Sequence, residues 1–223
     1  LETLPLFQSG AVYVQDPAAK LAALASGAAP GMRVLDCCAA PGGKSFAAAM
    51  QMENTGSILS CDLHAHKISL IEKNAARLGI SILKAEQRSA SEFDPALEAQ
   101  FDLVIADVPC SGLGVIRKKP DIRYKTLEKA RHDELLATQS SILDTAAALL
   151  KAGGRLVYST CTIDPAENEE QVAAFLARHP EFRVVRPAVA FPDGMTVGEH
   201  GALSVPTRTG MDGFFLCAMQ KTQ

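Results

Sequence analysis

No apolar run in this 223-residue chain reaches the ~20 residues needed to cross a bilayer, and no basic segment followed by an apolar one opens it. A membrane anchor and an export signal are therefore not expected. The six cysteines, at 37, 38, 61, 110, 161 and 217, lack the regular spacing of a disulfide framework or a zinc site. A reducing, cytoplasmic setting is the expectation. The net charge of −3 gives no global signal for nucleic acid. Internal repeats and low-complexity segments are absent as well. His64-x-His66 hints at metal, but it opens a helix with no further ligand cluster, so no metal is expected.

What is present is an ordinary globular composition, 48% hydrophobic and 21% charged, in a length suited to one large domain. The stretch Met32 to Lys44, MRVLDCCAAPGGK, organises the rest. A short apolar strand ends in Asp36, a turn follows at Pro41-Gly42-Gly43, and helix formers run from Ser45 to Met50. Glycines let backbone N–H groups approach a ligand, and the helix start offers orphan donors and a positive dipole. The turn is not G-x-G-x-x-G, which disfavours a dinucleotide. A P-loop needs glycine five residues before Gly43, where Cys38 stands. S-adenosylmethionine has no phosphate, and acids at the strand ends suit its ammonium and its ribose.

Those acids recur along the chain. Strands are expected at Ser57–Cys61, Ile80–Ala85, Phe101–Ala106, Arg155–Ser159, Phe182–Val185 and Phe214–Met219, besides the one before Asp36. Helices are expected from Pro17 to Ala25, after Gly43, after Asp62, over Ala137–Leu150, and after Asp164-Pro165 with Glu167 as the capping-box acid. The 190–212 stretch, rich in Gly and Pro, reads as a long loop. This alternation predicts an α/β fold: a doubly wound, mostly parallel, seven-stranded sheet. Residues 1–30 form a leading segment and helix, and 31–223 the ligand-binding domain. Asp36, Asp62, Glu86 and Asp107 then end four strands at one sheet edge, and Asp62 is placed to accept the ribose hydroxyls.

Two further motifs, Asp107-Val108-Pro109-Cys110 and Ser159-Thr160-Cys161-Thr162, each set a cysteine just past a strand. A thiolate adding to C6 of a pyrimidine makes C5 enamine-like and able to take a methyl from a sulfonium. A carboxyl group at N3 would assist.

DCCAAPGGK, DVPCSGLG and STCT, in this order on these strand ends, resemble the Sun/Nop family of RNA cytosine-C5 methyltransferases. GAVYVQDPAA resembles that family's first segment, PAENEEQV the helix after STCT, and DGFFLCAMQ its closing strand. The resemblance covers the whole chain and implies a Rossmann-like methyltransferase fold with S-adenosylmethionine as cofactor. It implies Cys161 as covalent nucleophile, Cys110 as the thiol assisting release, and Asp107 between cofactor and base. Cys38, Ala39, Ala40, Pro41, Gly42, Gly43 and Lys44 would wrap the cofactor, with Asp62, Lys67 and Glu86. The family's third-strand acid is usually Asp, so Glu86 is a departure with a longer reach. Cys37 is assigned to the core. Ribosomal RNA is the implied substrate, and the chain is expected to be monomeric. It begins at Leu1, and the family's upstream RNA-binding domain is expected to be missing, with weaker RNA affinity as the consequence.

Residues 117–131, RKKPDIRYKTLEKAR, hold seven Lys/Arg against two acids directly after the Cys110 loop. Arg117, Lys118, Lys119, Arg123 and Lys125 are candidate phosphate contacts, with Tyr124 the one aromatic among them. Three other readings stay open: a DNA cytosine methyltransferase using Cys110, a non-catalytic RNA scaffold, and a nucleotide hydrolase.

Overall fold

The computed structural model describes residues 2–124, 128–187 and 189–222. After a single-turn helix α1 (Pro5–Gln8), Asp16 caps α2 (Pro17–Ala25) by accepting from the Ala18 N–H at 2.9 Å. The strand–helix alternation then runs β1 (Arg33–Asp36), α3 (Gly43–Gln51), β2 (Ser57–Asp62), α4 (Ala65–Arg77), β3 (Leu83–Gln87) and β4 (Phe101–Asp107). It continues with α5 (Lys129–Leu149), β5 (Leu150–Thr160), α6 (Glu169–Arg178), β6 (Phe182–Val184), β7 (Thr196–Gly198), β8 (Gly201–Ser204), α7 (Pro206–Thr209) and β9 (Phe214–Lys221).

The sheet order is β3-β2-β1-β4-β5-β9-β8-β7, with β6 also on β9. The first five of these pair in parallel, whereas β9 pairs antiparallel with β5, β6 and β8. The sheet is thus α/β and doubly wound as expected, but it has nine strands rather than seven. The two extra strands, β7 and β8, form a hairpin inside the 190–212 stretch read as loop. Glycine density hid them: Gly201 has φ +146°, and a Cβ there would meet the Phe215 ring at 2.5 Å. The helix expected from Ala137 begins at Lys129 instead; its first turns are exposed and carry no apolar period, so the sequence pattern does not mark them.

Each central strand buries both faces, so its sequence reads as continuous apolar rather than alternating. On one face Leu35, Val104, Leu156 and Tyr158 pack against Ile142, Leu143, Ala146 and Phe175 of α5 and α6. On the other, Val34, Ile58, Leu103 and Val157 meet Ala48, Ala49 and Met52. Helix α2 covers Phe214 and Leu216 of β9. From β1 the chain winds outward through β2 to β3, then returns to β4 on the other side. This reversal opens a crevice beyond the ends of β1 and β4, where open α/β sheets bind ligands.

Candidate active site

The crevice is built by the turn after β1. Gly42, at φ +108°, adopts a left-handed conformation, and a Cβ there would sit 2.3 Å from the Phe46 ring. A Cβ on Gly43 would press on Gln15 Nε2 at 3.0 Å and Tyr13 Oη at 3.1 Å. The leading segment therefore folds over the glycine turn. Together they enclose a cavity of about 210 Å³ lined by Tyr13, Gln15, Asp36, Cys38, Lys44 and Asp107, with Ala39, Ala40, Pro41 and Gly43 in its wall. A second hollow of about 150 Å³ shares Cys38 and adds Asp62, Leu63, Lys67 and Pro109. Asp62 Oδ1 accepts from the His64 N–H at 3.0 Å and lies 3.4 Å from Lys67 Nζ.

Asp36 is fully buried. Its Oδ2 accepts from Ser45 Oγ at 2.7 Å, while Oδ1 has no hydrogen-bond partner among the described residues. Burial drives its carboxyl up to about 6, against the opposing pull of Ser45 and Lys44. A buried carboxylate oxygen with an open valence at a cavity wall is what an ammonium group requires. The sequence placed Asp36 on the ligand rim but gave it no role. Tyr13 and Gln15 carried no signal beyond their motif.

Lys44 bridges this cavity to the ends of β4 and β5. Its Nζ donates to Asp107 Oδ2 at 2.5 Å, and Ser159 Oγ donates to Asp107 Oδ1 at 2.7 Å. Burial opposes the Lys44 charge, but Asp107 outweighs it and the ammonium is held above its ordinary pKa.

Beyond Asp107, the loops after β4 and β5 bring Cys110 and Cys161 to an Sγ–Sγ distance of 3.1 Å, both as free thiols. Cys161 N–H also donates to Cys110 Sγ at 3.2 Å. The hydrogen bond from Cys110 pulls the Cys161 thiol below its usual pKa, with Lys44 adding to the effect against burial. Cys110 is pushed well above its own, by that same bond and by burial. The pair is polarised, with Cys161 the more acidic thiol and Cys110 the one that holds its proton more tightly. The two loops are locked further: Gly114 N–H donates to the Cys161 carbonyl at 3.0 Å, and a Cβ on Gly114 would lie 2.0 Å from the Gly213 oxygen.

Several sequence-based candidates sit elsewhere or act differently. The Glu86 carboxylate is held by Lys84 and Arg88, both at 2.7 Å, in a separate concavity that shares only Leu63 and Ser89 with the Asp62 hollow. Arg117 and Lys118 are tied to the buried Asp212 at 2.8 and 2.7 Å, and Lys118 also to Asp16. Lys119 and Arg123 are exposed, with Arg123 over the Tyr124 ring, and Lys125 lies outside the described residues. Glu167 is no capping-box acid. Asp164 alone caps the turn, accepting from Ala166 N–H at 3.0 Å, while the Glu167 side chain turns inward to the Cys110 loop. Cys37 lies in the core and its thiol donates to the Ile105 carbonyl. His64 and His66 stack on each other, whereas His132, Asp164 and Glu167 bring metal-type donor atoms within 4.8 Å. A 3.1 Å His132–Asp164 contact accounts for two of the three.

A family profile described as 16S rRNA methyltransferase RsmB/F matches residues 24–220. The chain belongs to this family. A Bacillus subtilis relative named "Probable ribosomal RNA small subunit methyltransferase B" is 44% identical, over 96% of this chain and 49% of its own length. Ribosomal RNA small subunit methyltransferase F of Cronobacter sakazakii is 37% identical, over 96% and 45%. Among solved structures, NSun6 from Pyrococcus horikoshii superposes with a TM-score of 0.89 at 27% identity, covering all of this chain and 56% of its own. PH0851 reaches 0.92 at 33% identity, over 99% and 49%. An O-methyltransferase from Thermotoga maritima, 17% identical with a TM-score of 0.58, shares the fold. This RsmB/F chain spans about half the length of the curated relatives it matches.

Proposed function

We propose that the chain transfers a methyl group from S-adenosylmethionine to C5 of a cytosine in RNA, with 16S ribosomal RNA as the substrate class. The observation that carries this reading is the polarised Cys110–Cys161 pair at the end of the Lys44–Asp107 bridge. The unpartnered Asp36 oxygen and the glycine turn fit the amino-acid end of the cofactor, and Asp62 its ribose. When bound, the cofactor supplies an electrophilic methyl whose bonding electrons return to sulfur.

The chain's residues do the rest. Cys161 thiolate adds to C6, and the C5–C6 π electrons move to C5, which forms the bond to the methyl. Asp107, fixed by Lys44 and Ser159, would accept from the N4 amino group beside N3 of the base and, on taking a proton, donate to N3. Once Cys161 is bonded to carbon it no longer accepts the Cys110 hydrogen bond that held the proton on Cys110, and Cys110 releases that proton to solvent. Cys110 then takes the C5 proton, the C5–C6 double bond re-forms, and the Cys161–C6 bond breaks to return the thiolate. A DNA-type mechanism with Cys110 as nucleophile runs against the polarity of the pair.

The target base would have to leave its stack to reach the thiols. Lys119 and Arg123 are the phosphate contacts this reading retains, and two free thiols in contact suit a reducing cytoplasm. Nucleoside analysis of RNA incubated with the protein and S-adenosylmethionine tests the reading. We expect 5-methylcytidine with the wild type and none with Cys161→Ala; equal product from both would remove Cys161 from the chemistry.

A further inference from the structure

Glu167 and Gln139 lie on different elements, are fully buried, and meet at one place: the peptide bonds on either side of Cys110. Glu167 Oε2 accepts from the Ser111 N–H at 2.9 Å. Gln139 Nε2 donates both to the Pro109 carbonyl and to Glu167 Oε2, each at 2.9 Å. The backbone before and after the thiol is thus clamped by a single carboxylate–amide pair. Glu167 is itself held, because Tyr158 Oη donates to its carbonyl at 2.6 Å.

The next residue, Asn168, is equally buried but serves the other loop. Its Oδ1 accepts from Thr160 Oγ1 at 2.6 Å and its Nδ2 donates to the Thr162 carbonyl at 3.2 Å, flanking Cys161. Two consecutive side chains therefore point to two different thiols.

A buried carboxylate costs several kcal/mol unless its bonds are made. Helix α6 starts only at Glu169, so Glu167 is not needed to begin it. An apolar residue would fill the site more cheaply, yet a carboxylate is kept there: its Oε2 takes the Ser111 N–H and the Gln139 amide, while Oε1 has no hydrogen-bond partner among the described residues. We infer that Glu167, with Gln139, is a positioning residue for Cys110, setting its thiol for the step that releases the methylated base. Neither side chain contacts a thiol, so the effect runs through the loop. This inference rests on the two-thiol reading above.

The test is a time course of covalent protein–RNA adduct, with S-adenosylmethionine present, for wild type, Cys110→Ala, Glu167→Ala, Glu167→Gln, Gln139→Met and Asn168→Ala. Thermal melts confirm that each variant is folded. Misplacing a reacting group by about 1 Å costs about 100-fold. Glu167→Ala should therefore form adduct at the wild-type rate but resolve it about 100-fold more slowly, accumulating it as Cys110→Ala does. Glu167→Gln keeps a carbonyl acceptor for Ser111 and should resolve near the wild-type rate. Gln139→Met should accumulate adduct too, and it carries the test if Glu167→Ala does not fold. Asn168→Ala should slow adduct formation instead. Resolution at the wild-type rate in both Glu167→Ala and Gln139→Met would overturn the inference, as would loss of adduct formation in either. Failure of Cys110→Ala itself to accumulate adduct would instead overturn the two-thiol reading on which this rests.

Discussion

At the scale of single residues, the site works by placing charge where burial makes charge expensive. Asp36 is the clearest case: its carboxyl is held at about 6, mainly by burial, against an ordinary 3.8. The folded chain therefore binds this proton more tightly than the unfolded chain. The resulting stabilisation is complete below about pH 4 and is lost as pH rises through about 6, and a shift of this size corresponds to about 3 kcal/mol. We predict that the stability difference between wild type and Asp36→Asn, from urea unfolding, changes by up to about 3 kcal/mol between pH 4 and pH 8. Wild type should lose ground to the variant at the alkaline end, and a pH-independent difference would contradict the assignment. An ammonium ligand beside Oδ1 should favour the ionised carboxylate, so cofactor binding near pH 6 should release a proton. The same logic sets the thiols apart. Cys110 and Cys161 touch, yet Cys161 is lowered, with help from the Lys44 ammonium, while Cys110 is raised.

At the scale of elements, the loops at the ends of β4 and β5 carry the two thiols, and neighbouring segments fix them. The motifs at 34–44, 107–112 and 159–162 were legible because each is a contiguous string whose strand, turn and residue types are local. What was not legible depends on which side chains pair once the chain is folded. Arg117 and Lys118 read as free phosphate contacts, but Asp212, nearly a hundred residues on, claims both. Glu86 read as a cofactor contact, but Lys84 and Arg88 from its own strand and the following turn hold its carboxylate. Glu167 stood at capping-box spacing, but Ser111 and Gln139 draw it inward. The basic strip therefore divides in two. Asp212→Ala should cost about 1 kcal/mol in urea unfolding, because it removes the carboxylate shared by two half-exposed cations. Lys119→Ala and Arg123→Ala should leave stability unchanged and weaken RNA binding, each flattening its salt dependence. A loss of stability in the latter pair with unaltered RNA affinity would reverse the division.

At the scale of the molecule, a parallel half, β3-β2-β1-β4-β5, holds the cofactor crevice at its reversal point, and an antiparallel extension built on β9 backs the thiol loops. The parallel half was readable from alternation of strands and helices. The extension was readable only at β6 and β9, since the β7–β8 hairpin is short and glycine-rich. None of the described helices is long and apolar enough to cross a membrane. Because the crevice is formed in the folded chain alone, S-adenosylmethionine at about 100 times its Kd should add about 2.7 kcal/mol of stability. For a chain of this size that is a rise in Tm of about 5–10 °C. No shift at saturating cofactor would mean that the folded chain does not bind it.

The division of labour between the two thiols is the central claim, and peptide mapping of the RNA adduct tests it most directly. Cys110→Ala protein, incubated with RNA and S-adenosylmethionine and then digested with protease and nuclease, should yield one nucleotide-linked peptide, carrying Cys161. The double variant Cys110→Ala/Cys161→Ala should yield none. A nucleotide on any other residue of Cys110→Ala, or an adduct through Cys110 in Cys161→Ala, would contradict the account.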